Sequence, residues 1–172
     1  MKKFFYILAL FAFVLYGCSS NKNQNERSVS AKTDTAFTDI KVNEVEGYFV
    51  TQRSNEPRAL ILDELGFNKY FHVAKTMTNV PTKIDFNTKK VGAVILPETD
   101  FRTTIVINSI SLSGKTLVVD YSVNRDKEKQ SFTIIPSKAF TLDSDLAVDV
   151  VIFKNGNNTV DVAFQKKRIE II

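Results

Sequence analysis

From residue 37 onward the hydrophobic positions recur with a period of two, the pattern of strands with one buried and one wet face. Leu117, Val119, Tyr121 and Val123 alternate with Val118, Asp120 and Ser122, and Val160, Val162 and Phe164 alternate with Asp161, Ala163 and Gln165. Val91 to Leu96 breaks this alternation. Its nearly continuous run of Val91, Ala93, Val94, Ile95 and Leu96 predicts a central strand covered on both faces. Ser113 with Gly114, and Asn155 with Gly156, supply hairpin turn chemistry between such runs. Ile105 and Ile107 are out of phase with Ile110 and Leu112, which predicts a bulge near Asn108 or Ser109. The charged stretch Asn124 to Lys129 reads as a loop leading to a further strand, Gln130 to Ile135, closed by Pro136.

One segment has a helical period instead. Asp63 is a candidate N-cap, and Phe67, Tyr70, Phe71 and Ala74 recur at three- to four-residue spacing, although Gly66 costs about 1 kcal/mol relative to Ala. Together these elements predict a mainly β fold: an antiparallel β-sandwich or partly open barrel with one short helix packed on it. The predicted core is Phe49, Phe67, Phe71, Val94, Leu96, Ile107, Val119, Tyr121, Ile134 and Val150.

The first 36 residues follow different rules. Lys2 and Lys3 precede an unbroken apolar run, Phe4 to Tyr16, whose length suits a signal-peptide core and falls short of the roughly 20 residues that span a bilayer. The run ends in Leu15, Tyr16, Gly17 and Cys18, which resembles the lipobox of bacterial lipoproteins, with Tyr16 in place of the usual small residue. That resemblance implies residues 1–17 as a signal peptide cleaved before Cys18, and Cys18 as the lipidated residue. Two or three acyl chains would anchor the protein stably where a single chain would not. Ser19 follows the cysteine in place of an inner-membrane retention aspartate, so the expected address is the outer membrane, facing the periplasm. Residues 18–36 are polar enough to read as a tether with a typical span of about 21–25 Å, leaving 37–172 as a single β-rich domain.

Composition narrows the function. The formal charge of +4 falls to about +2 without Lys2 and Lys3, too little to suggest nucleic acid as a partner. Cys18 is the only cysteine and His72 the only histidine, so thiol chemistry, disulfides and the usual zinc ligands are missing from the domain. No glycine-rich phosphate loop and no serine-hydrolase or zinc-protease motif occurs, and no cofactor is expected. Asp143, Asp145 and Asp149 could be imagined around calcium, but the glycine turn and terminal glutamate of an EF-hand loop are missing. Glu98 and Asp100 could form a carboxylate pair, as many acid pairs could. The segment from Glu98 through Asp100, Phe101 and Arg102 reads as a loop between strands and, with an aromatic beside an arginine, as the candidate binding loop.

Ile84, Asp85 and Phe86, followed by Val91 to Leu96, a loop, and the strand pair around Ile107 and Val119, resemble the C-terminal domain family of the protease-complex accessory subunits of spirochaete surface proteases. The upstream Lys69, Tyr70 and Phe71 fit the same pattern. The family's loop after the central strand often carries a glycine-rich stretch; Thr99 to Thr104 has no glycine, so the resemblance extends to the scaffold and not to that wedge. It implies a non-enzymatic, membrane-anchored module that binds a protein partner, in a protease-accessory or inhibitor-like role. The alternatives are a structural envelope lipoprotein and, last, an enzyme working through surface carboxylates.

Overall fold

Strand-forming residues and turn signals assemble into three sheets. The computed structural model describes residues 37–74 and 80–165, all within one unit, Asp34–Ile172. The leader, the lipobox Leu15–Cys18 and the expected tether lie outside the described residues. In chain order the strands are β1 (Thr38–Asp39), β2 (Asn43–Glu44), β3 (Tyr48–Val50), β4 (Arg58–Leu62), β5 (Phe71–Val73), β6 (Lys89–Ile95), β7 (Thr99–Ser113), β8 (Thr116–Ile134), β9 (Ser137–Asp143), β10 (Val150–Asn155) and β11 (Asn158–Ala163). The helix α1 spans Glu64–Tyr70.

A five-stranded sheet, β1-β7-β8-β10-β11, packs on a four-stranded sheet, β2-β9-β6-β4. The core between them contains Ile105, Ile110, Leu117, Val119, Val151 and Phe153 from the first sheet, and Val94, Phe140 and Leu142 from the second. The expected sandwich is present. Its neighbouring strands are antiparallel except for β8 and β10, which run parallel because β9 crosses to the other sheet between them.

The four-stranded sheet is covered on its far side as well. Val91, Ala93 and Ile95 point away from the sandwich interior, into a second cluster with Leu62, Val50, Phe67, Phe71 and Ala139. This explains the continuous apolar run in β6: both faces are dry, and every residue from Val91 to Ile95 is buried. Gly92 is required there, because a Cβ at that position would lie 2.4 Å from Cζ of the fully buried Phe140 ring.

The second layer is made by α1 and a two-stranded sheet of β3 and β5. Asp63 caps the helix, its carboxylate accepting from the Gly66 N–H at 2.8 Å. The helix is shorter than its periodicity predicts. Phe71 has extended backbone and opens β5, and the Ala74 N–H bonds to the Gly47 carbonyl rather than to a helical turn. Pairing with β3 thus overrides helix propensity, while Phe67 and Phe71 still stack with ring centroids 4.9 Å apart.

Both hairpin turns form where predicted, with Gly114 and Gly156 at positive φ, and the register shift between Ile107 and Ser109 supplies the expected bulge. Four core expectations need correcting. Phe49 is 47% exposed, because it lies on the outer side of β3. Leu96, Ile134 and Val150 are only partly buried: Leu96 and Ile134 sit at strand ends, and in β10 the inward phase belongs to Val151 and Phe153. Ile107 is likewise partly buried, and both it and Leu96 pack on the main core.

Candidate functional site

β7 and β8, of 15 and 19 residues, form a hairpin far longer than the strands around it, none of which exceeds 7 residues. Near its turn, β8 alternates buried and partly exposed residues from Thr116 to Tyr121. Farther from the turn, residues 124 to 129 are all exposed, yet they remain strand, with Asn124, Arg125 and Lys129 in register with β7. The expected loop at Asn124 to Lys129 is therefore corrected to the middle of one continuous strand. Extra β8 residues are absorbed by irregularities between Thr99 and Phe101 and between Phe101 and Thr103. The alternating charge signs from Arg125 to Lys129 were the available signal, a period-two pattern compatible with a strand.

The candidate binding loop is corrected for the same reason. Of its residues only Glu98 lies between strands; Asp100, Phe101 and Arg102 belong to β7. Where the register slips, threonines satisfy the backbone around Phe101: its N–H donates to Thr99 Oγ1 at 3.2 Å, and its carbonyl accepts from Thr103 Oγ1 at 3.1 Å. The ring is not a free anchor. The Arg125 guanidinium lies 3.9 Å and the Lys129 ammonium 5.3 Å from its centroid. Lys129 also donates to Asp100 Oδ2 at 2.7 Å. That hydrogen bond, helped by the charges of Lys129 and Arg125 and opposed by desolvation, holds the Asp100 carboxyl below its usual 3.8. Arg102 points to solvent on the other face.

Glu98 faces a different surface. It accepts from Thr133 Oγ1 at 2.7 Å and pairs with Arg53 at 3.2 Å. This pair lies in a groove of about 600 Å³ between β3 and the end of β8, lined by Tyr48, Phe49, Thr51, Ile134, Ile135 and Ser137 among others. Glu98, Thr103 and Pro136 also line an adjoining hollow of about 240 Å³ with Leu96, Pro97 and Val123. The structure therefore brings Glu98 together with Phe49, Arg53 and Thr133, which sequence reasoning did not connect, while Arg125, which lies over Phe101, shares the adjoining hollow with it. No local pattern links Tyr48–Arg53 to residues some 80 positions later.

His72 lies in β5, not in the helix, exposed and opposite Phe49, their rings 6.1 Å apart. Asp143 pairs with Lys89, and Asp149 pairs with Lys115 at 3.4 Å. Asp143 ends β9, whereas Asp145 and Asp149 lie in the connection to β10, so the three do not share one strand face. Among the described residues no three His, Cys, Asp or Glu side chains are placed to hold a metal ion. A further pocket of about 440 Å³ beside the start of α1 includes Asp63, Glu64, Lys89 and Lys90. Asp63 there serves the helix cap, and Asp85 accepts from the Asn87 N–H and the Thr88 hydroxyl.

Compared with protein-family models, curated proteins and solved structures, the chain matches none.

Proposed function

We propose that this protein is a lipoprotein of the cell envelope, anchored through lipid on Cys18, whose sandwich is a non-enzymatic module for binding a protein partner. The groove between β3 and the end of β8 is the binding surface. The observation that carries the reading is Phe49, a large aromatic left 47% exposed on the groove wall beside the Arg53–Glu98 pair. Aromatic and arginine side chains beside a hollow are the composition of interface hot spots. Phe49 itself is held on β3 by pairing with β5, which keeps the ordering cost of its contact low. Glu98, Asp100, Asp143 and Asp149 each have a cationic partner, which fits a role in recognition better than one in acid–base chemistry. An envelope protease is the partner class to examine first, given the scaffold resemblance, with contact through the groove and not through a wedge at Thr99–Thr104.

Two measurements test this. Cells making wild type should incorporate labelled palmitate and cells making Cys18→Ala should not; an unlabelled wild type ends the lipoprotein reading. Affinity capture from detergent-solubilised envelopes should recover one protein with wild type and lose it with Phe49→Ala or Arg53→Glu. Equal capture by wild type and both variants would reject the groove.

A further inference from the structure

We infer, on the reading of the groove as the binding surface, that the partner segment bound there carries an acidic side chain whose carboxylate is received by Arg125. The groove does not end at the Arg53–Glu98 pair: Glu98, Thr103 and Pro136 line both it and the adjoining hollow of about 240 Å³. Leu96, Pro97, Val123 and Pro136 give that hollow apolar walls, and Glu98 and Arg125 are its only charged residues among those described. An extended segment lying along Phe49 therefore has a second place to set a side chain, with a cation in its wall.

Arg125 is placed to hold an acceptor and has none. Its guanidinium lies 3.9 Å from the centroid of Phe101, a ring face that attracts the charge but leaves the donor fork unfilled. Among the described residues no oxygen accepts from it and no carboxylate comes within ion-pair distance. The carboxylates around it are committed elsewhere: Glu98 to Arg53 at 3.2 Å, and Asp100 to Lys129 at 2.7 Å. Asp126 and Glu128 line neither the groove nor the hollow.

Charge complementarity selects the occupant. Across the two spaces Arg53 and Glu98 cancel, so Arg125 leaves one positive charge. One carboxylate of an aspartate or glutamate matches it in charge and, being planar, can accept two parallel hydrogen bonds from the guanidinium. A cationic segment would be repelled, and a neutral one would cover the arginine without replacing the water it gives up. The apolar walls suit an aliphatic residue next to the acid, and the water they exclude strengthens the pair. The pocket beside α1 has no such excess, since Lys89 and Lys90 are outnumbered there by Asp63, Glu64 and Asp85.

The test is selection from a random displayed peptide library on the immobilised full-length protein in detergent. Fluorescence anisotropy then compares the most enriched peptide with its counterpart in which the acid is replaced by its amide. Wild type should enrich Asp or Glu beside an aliphatic residue and bind the acidic peptide about tenfold more tightly than the amide one. Arg125→Gln should bind the two alike, and Arg125→Lys, which retains charge without the fork, should keep part of the difference. A loosened ribbon would weaken both peptides equally and leave their ratio unchanged, so an unchanged ratio in Arg125→Gln overturns the inference, as does enrichment without an acidic position. Either result leaves the groove standing if Phe49→Ala abolishes selection. A wild type that enriches no peptide, or a Phe49→Ala that enriches the same ones, overturns the groove and this inference with it.

Discussion

The two halves of β8 are stabilised by different means. From Leu117 to Tyr121 every second side chain enters the sandwich core, with Leu117 and Val119 fully buried. From Asn124 to Ile134 the strand has left the core and depends on its neighbour across the hairpin: Arg125 and Lys129 over Phe101, Lys129 to Asp100, and Thr133 to Glu98. Burial of apolar area stabilises the first half without regard to salt or acid. Exposed charge pairs each give little, and the second half remains strand because its contacts act together on one already paired ribbon.

Removing a core ring should widen this contrast most. Phe140 is fully buried between the sheets, lies under Gly92 and meets Phe153 at 6.5 Å, so Phe140→Ala should cost about 3–5 kcal/mol in denaturant unfolding. The loss should appear in the whole sandwich at once. Arg125→Ala should cost about 0.5–1 kcal/mol, and hydrogen exchange should accelerate at 124–134 while amides at 117–121 stay protected. Equal acceleration in both halves would show that they are one cooperative unit. Acid should have the smallest effect. Asp100 is more acidic in the folded chain than its ordinary 3.8, so its ionised form favours the folded ribbon. That contribution is complete above the ordinary value and disappears as pH falls below it through the folded value. Exchange at the ribbon's open end should therefore rise only in that acid window, and in Asp100→Asn it should lose this pH dependence.

The same contrast governs what could be read from the residues. The core-bound half declares itself through alternation, as do β6 through its continuous run and both hairpins through their glycines. Even the bulge after Ile107 was visible as a phase slip. In the outer half Gln130 to Ile134 is strand as its residues predict, whereas Asn124 to Lys129 was misread as a loop, because charge there stands for cross-strand pairing, which depends on residues about 25 positions away. Helix α1 was legible at its cap but not at its end, where β3 captures Phe71. The groove was the least legible feature, since Phe49 and Glu98 meet only after three sheets have assembled.

The parallel pairing of β8 with β10 constrains the order in which the chain can mature. Each hairpin can close from neighbouring residues, but the second lateral neighbour of β8 is β10, which the chain reaches only beyond β9, a strand of the opposite sheet. Loop closure over that distance must come before its stabilising contacts, a slow step typical of topologies rich in distant contacts. Until it is complete, the core-bound stretch Thr116–Asp120 lacks its second neighbour, and the apolar side chains that alternate through it are left uncovered in the unfinished chain.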